Sequence, residues 1–159
     1  MIEPLEYGPH VKLVPFQGQR DWDYLMDLAE MDEGHYATRE QIAESVRTYG
    51  FLFWVIEHDG VRSGVGLCLK VNENFLMEAL KDKSVSGSSL KHSIEVGQMM
   101  LDQIFKFTNV VHTCARAEDK AIQILCRKLK FIEMGIVTSP YGKIMLFQKE
   151  KNLCQSLRQ

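Results

Sequence analysis

Apolar positions along this chain change period several times, and each change marks an element. "VKLVPF", Val11 to Phe16, has the length and composition of a short strand ended by Pro15 and the polar "QGQ". In "DWDYLMDLAEM" the period becomes helical, with Trp22, Leu25, Met26, Leu28 and Ala29 on one stripe behind an N-cap candidate, Asp21. After a break at "DEGHY", "TREQIAESVRTYG" reads as a second helix. Thr38 caps it, Gln41 completes a capping box, and Gly50 stops it. The pattern then turns to strands: "FLFWVIEH" and "SGVGLCLKV" flank Asp59-Gly60, a hairpin signal, and "NFLMEAL" follows. "SGSSLKHSIEVGQMMLDQIF" is a small polar loop running into a helix with Ile94, Gly97, Leu101, Ile104, Phe105 and Thr108 on one face. "VVHTCARA" is a further strand. "EDKAIQILCRKLKF" is a helix with Ile122, Leu125, Cys126 and Leu129 facing inward. "FIEMGIVTS" and "KIMLFQKE" close the sheet around the turn cluster "SPYG".

The order β, α, α, β, β, β, α, β, α, β, β predicts an α/β domain. Its sheet is mixed and mostly antiparallel, flanked by about four helices, with one β–α–β crossover in the middle. No linker composition divides the chain, so residues 1–150 form one domain and 151–159 a tail.

Composition narrows the class. At 159 residues, 45% hydrophobic and 25% charged, the chain reads as an ordinary globular domain. Nineteen basic against 21 acidic residues argue against a dedicated nucleic-acid binder. No apolar run approaches the roughly 20 residues that span a bilayer. "MIEPLEYGPHVKLVPF" lacks the charged and apolar regions of a signal peptide. The cysteines, Cys68, Cys114, Cys126 and Cys154, show no metal-like spacing, and no histidine completes one, so no metal is expected. Free thiols inside apolar segments fit a reducing, cytoplasmic compartment. The methionines around "GQMML" read as core filler.

Two stretches carry chemistry. The loop before the long helix offers backbone N–H groups at a helix N-terminus, where unpaired donors and the macrodipole receive a phosphate. The same serines also serve plain capping. Glu78 is a lone carboxylate inside "FLMEAL". It either faces solvent on an alternating strand or sits where desolvation raises its pKa toward that of a base.

The element order resembles the GNAT acyltransferases across nearly the whole chain, and motifs add to this over about a third of it. Ala117 to Phe131 is similar to the family's N-x-x-A-x-x-L-Y-x-x-x-G-F segment: Asp119 stands at the Asn position, Leu125 matches, and Cys126 stands where tyrosine is common. "SLKHSIEVGQMMLDQIF" resembles a form of the family's long helix found in phage-encoded GNAT proteins, with Lys91, Glu95, Gly97, Leu101, Asp102 and Phe105 at matching spacing. The usual (Q/R)-x-x-G-x-(G/A) string is absent, Ser89-Leu90 replacing its Arg-Gly.

The resemblance implies an acetyl-CoA-dependent N-acetyltransferase acting on an amine of a small molecule or protein. It implies a donor site at Leu80, Gly87, Ser88, Ser89, Leu90, Lys91, His92 and Asp119. Glu78 would act as general base and Cys126 as leaving-group acid, the latter alternatively a core residue. Tyr141 is a second candidate acid. His35 and Tyr36 fall where the family shapes its acceptor pocket, and dimers through the last strands are common. The departures keep two other functions in view: a catalytically silent GNAT-fold assembly protein of phage type, and a module that binds CoA as a signal.

Overall fold

The computed structural model describes residues 5–7, 10–31, 38–85, 89–140 and 142–152. Eight strands form one sheet in the order β1-β2-β3-β4-β5-β6-β8-β7. They are β1 (Leu5–Tyr7), β2 (Val11–Pro15), β3 (Gly50–His58), β4 (Val61–Val71), β5 (Asn74–Lys81), β6 (Val110–Arg116), β7 (Ile132–Ser139) and β8 (Gly142–Glu150). The helices are α1 (Gln19–Met31), α2 (Arg39–Tyr49), α3 (Leu90–Ile104) and α4 (Lys120–Lys128). Every pairing is antiparallel except β5 with β6, which α3 joins as the crossover. The α/β class, the mixed sheet and the four helices are as expected from the sequence.

Local chemistry accounts for most boundaries. Thr38 and Gln41 form the capping box at α2. Asp59 and Gly60 both take positive φ, 52° and 79°, the pair that a tight type I′ hairpin between β3 and β4 requires.

Four details differ from the sequence pattern. β1 is an additional edge strand, paired to β2. α1 begins at Gln19, so Asp21 lies within its first turn; its buried carboxylate still receives a backbone N–H, from Gln17 at 2.8 Å. Thr108 lies beyond α3, its hydroxyl bonded to the Val110 carbonyl. On α4 the buried residues are Gln123 and Cys126, while Ile122 is exposed. The Gln123 amide supplies donors to the Arg116 and Ala117 carbonyls where β6 ends, at 3.2 and 2.8 Å. That polar demand turns the helix away from the purely apolar stripe.

Two apolar layers sandwich the sheet. α3 and α4 cover one face through Met99, Met100, Leu101, Ile104, Cys126 and Leu129. α1 and α2 cover the other face only over β2 to β5, through Tyr24, Leu25, Leu28 and Val46 against Val55, Val65 and Leu67. The second layer contains no residue of β6, β7 or β8, and Leu146, Val137 and Ile132 there stay exposed. Gly97 sets the spacing of α3 against α4: a Cβ at that position would stand 2.5 Å from the buried Leu129 Cδ1.

Candidate active site

The sheet opens where its one parallel pair lapses. β5 and β6 are in register only at Phe75 with Val111 and Leu76 with His112. The Thr113 hydroxyl bonds the Met77 carbonyl at 2.7 Å, the last link between them. Beyond it both strands continue, β5 to Lys81 and β6 to Arg116, without pairing. The result is a slot through the sheet, with α3 and α4 on one side and α1 and α2 bordering the other.

Glu78 is the first β5 residue past this link that faces α1 and α2, being paired with Leu67 of that layer. It is exposed by surface area, yet burial raises its carboxyl pKa. Its carboxylate stands where β5 and β6 part, near enough to protein for burial to act on it while part of the side chain stays open. No described residue hydrogen-bonds or ion-pairs with its carboxylate. An unpaired acid whose proton is held above the ordinary carboxyl range has the properties of a general base.

Cys114 follows Thr113 as Glu78 follows Met77, and the two lie on the same face where the strands part. Burial and, second, the Glu78 charge raise its thiol pKa. Cys114 is half-buried, whereas Cys126, projecting from α4, is 4% exposed and packs within the core. Burial first and Cys114 second push the Cys126 thiol up to about 11.

The crossover that leaves β5 leads to the N-terminus of α3. Ser89 is its N-cap, and the Ser89 hydroxyl accepts from the His92 N–H at 3.3 Å. Helix geometry leaves the Leu90 and Lys91 N–H groups without intrahelical partners. Leu90 and Lys91 are exposed. The His92 ring instead packs on His58, with centroids 4.1 Å apart, and its Nδ1 is buried without a partner. Leu80 is half-buried against the α1/α2 layer. Asp119 caps α4, accepting from the Ile122 N–H. Gly87, Ser88, His35, Tyr36 and Tyr141 lie outside the described residues, as do Cys154 and most of the tail.

The end of β5 is fixed by a cluster absent from the sequence reading. Asp82 accepts from the Tyr24 hydroxyl at 2.8 Å and from the Ser84 N–H and hydroxyl at 2.9 and 2.5 Å. Arg62 lies 4.1 Å above the Tyr24 ring. Burial works against the Asp82 charge, but the bonds from Ser84 and Tyr24 outweigh it and hold the carboxyl below its usual range. These ties anchor α1 to the wall that carries Glu78. No sequence motif marks them, because the partners lie 58 residues apart. Among the described residues, no group of histidine, cysteine and acidic side chains is arranged to hold a metal ion.

No protein-family model matches the sequence, and neither does any curated protein. Solved structures do match in fold. The N152L mutant of spermidine N-acetyltransferase SpeG from Vibrio cholerae is 11% identical, with a TM-score of 0.74, covering 94% of this chain and 99% of its own. An acetyltransferase from Salmonella typhimurium that modifies the N-terminal serine of ribosomal protein L7/L12 is 14% identical, with a TM-score of 0.68 and coverage of 94% and 100%. RimJ from Mycobacterium smegmatis, in complex with CoA-disulfide, is 16% identical, with a TM-score of 0.68 and coverage of 94% and 84%. The fold is that of GNAT acetyltransferases.

Proposed function

We propose that the chain is an acetyl-CoA-dependent N-acetyltransferase. The observation that carries this reading is the parting of β5 from β6, with an unpartnered Glu78 where they part and the N-terminus of α3 on the crossover that follows β5. The neighbours' fold supports it, as does the presence of CoA in the RimJ complex. In this reading the segment from Gly87 through His92 meets the donor's pyrophosphate, which the Leu90 and Lys91 N–H groups bind, with Lys91 adding charge and Leu80 and Asp119 bordering the donor. Glu78 accepts the ammonium proton of the acceptor, directly or through one water, and leaves a neutral amine to attack the thioester. His35 and Tyr36 border the acceptor. Cys126 gives the leaving thiolate its proton only if that buried thiol is reached.

The domain comprises residues 1–150, and the acceptor is an amine of a small molecule or protein, with neither nucleic acid nor membrane as partner. The free thiols suit the cytoplasm. A second copy of the chain docks on the uncovered β7 edge, where Ile132, Met134 and Ile136 are exposed.

Calorimetric titration with acetyl-CoA, followed by turnover on a panel of amines, tests the reading. Binding with turnover that Glu78→Gln lowers about a hundredfold or more is the expected result. No binding at millimolar donor sinks it. Binding without turnover favours the CoA-sensing module. The burial of Cys126 at the usual tyrosine position is what favours the silent assembly protein of phage type. That protein would neither bind nor turn over the donor.

A further inference from the structure

Cys114 and Glu78 share a position that the amine reaction leaves half used. Each is the residue that follows the Thr113–Met77 link on its strand, and both lie on the same face of the sheet where the strands part. Neither makes a hydrogen bond or ion pair with any described residue. Of the three described cysteines, Cys68 and Cys126 are buried and Cys114 alone is partly open. Among the described residues, the α1/α2 apolar cluster includes none of β6.

We propose that Cys114 is itself an acyl acceptor, taking the acetyl group from acetyl-CoA to form a thioester on its Sγ. This rests on the donor reading above and adds a covalent step to the same site. The thiol arrives as S–H, because burial and the neighbouring carboxylate keep it protonated. Glu78 therefore removes the proton, through one water or after a side-chain rotation, since the two groups are not hydrogen-bonded at rest. The Sγ lone pair forms a bond to the thioester carbonyl carbon, and the bond from that carbon to the CoA sulfur breaks. The proton held by Glu78 ends on the departing CoA sulfur. One thioester and one thiol are consumed and one of each is produced, so the step needs no oxidant.

The thiol and the ammonium each have one proton to lose to Glu78, and the thiolate so formed is a strong nucleophile. The exchange of one thioester for another is also close to thermoneutral. Occupancy by an amine then decides whether the acetyl group leaves to the acceptor or is stored on the chain.

The test is intact-protein mass spectrometry after incubation with acetyl-CoA and no amine, with donor binding measured by calorimetry in parallel. The expected result is one added acetyl group that neutral hydroxylamine removes, mapped to Cys114 in the wild type and in Cys126→Ala. Cys114→Ala should lose it, as should the near-isosteric Cys114→Ser, which checks that folding is preserved. Glu78→Gln should slow its formation about a hundredfold. If donor binds but no labile adduct forms, the inference is overturned and the donor reading stands. The same holds if the adduct maps to another cysteine, persists in Cys114→Ala, forms as fast in Glu78→Gln, or proves to be a reductant-sensitive CoA disulfide. Absence of donor binding overturns both.

Discussion

Glu78 carries a charge whose burial costs the fold stability, and the cost has a pH signature. Its folded pKa lies above the ordinary 4.5, so between those values the native chain keeps a proton that the unfolded chain has lost. Stability therefore falls as pH rises through that window, and the full cost remains above it. Glu78→Gln should raise the neutral-pH melting temperature, with the advantage fading as pH falls to 4.5; melts across pH check this. The same substitution should remove the acid limb of the pH–rate profile, a limb expected above 4.5. Glu78 was legible as a lone carboxylate in an apolar run. Cys114 was not, because it lies 36 residues from Glu78 and the two strands meet only through the sheet and the Thr113–Met77 bond. The Cys126 position was legible from helical spacing. Its inward orientation beside Leu125 and Leu129 was legible in the same way, and the thiol is 4% exposed.

At the scale of elements, two contacts govern how the slot's walls are held. Gly97→Ala would gain about 1 kcal/mol of helix propensity. It would also press a methyl group into Leu129, whose buried side chain must shift to admit it. Overpacking costs typically 1–3 kcal/mol, so the net change should be destabilising by roughly 1 kcal/mol in denaturant unfolding. Tyr24→Phe removes the hydroxyl that ties α1 to Asp82 and should cost about 1 kcal/mol in the same measurement. Strands and helices were largely readable here because period, caps and turn residues agreed: the Thr38 box and the Asp59-Gly60 hairpin are local chemistry. The tilt of α4 was not, because Gln123 answers carbonyls at the end of another element.

For the whole molecule, the asymmetry of the two layers matters most. The face of β6, β8 and β7 left bare by α1 and α2 ends in an edge strand with Ile132 at 67% and Met134 at 57% exposure. Antiparallel pairing of that edge with its copy would satisfy both strands about a two-fold axis. Light scattering should report a dimer for the wild type and a monomer for Ile132→Lys combined with Met134→Lys. The sequence announced the crossover but not its shortness, and that shortness reaches beyond chemistry. With only two register pairs and one side-chain link between β5 and β6, the sheet is two antiparallel ribbons, β1–β5 and β6–β8–β7, stitched at a narrow seam. Such a seam closes a long loop late in folding and opens early, so the ribbons should behave as separate cooperative units in native-state hydrogen exchange. The amides of β6 nearest Thr113 would then exchange by sub-global opening, while those in the middle of β4 wait for global unfolding.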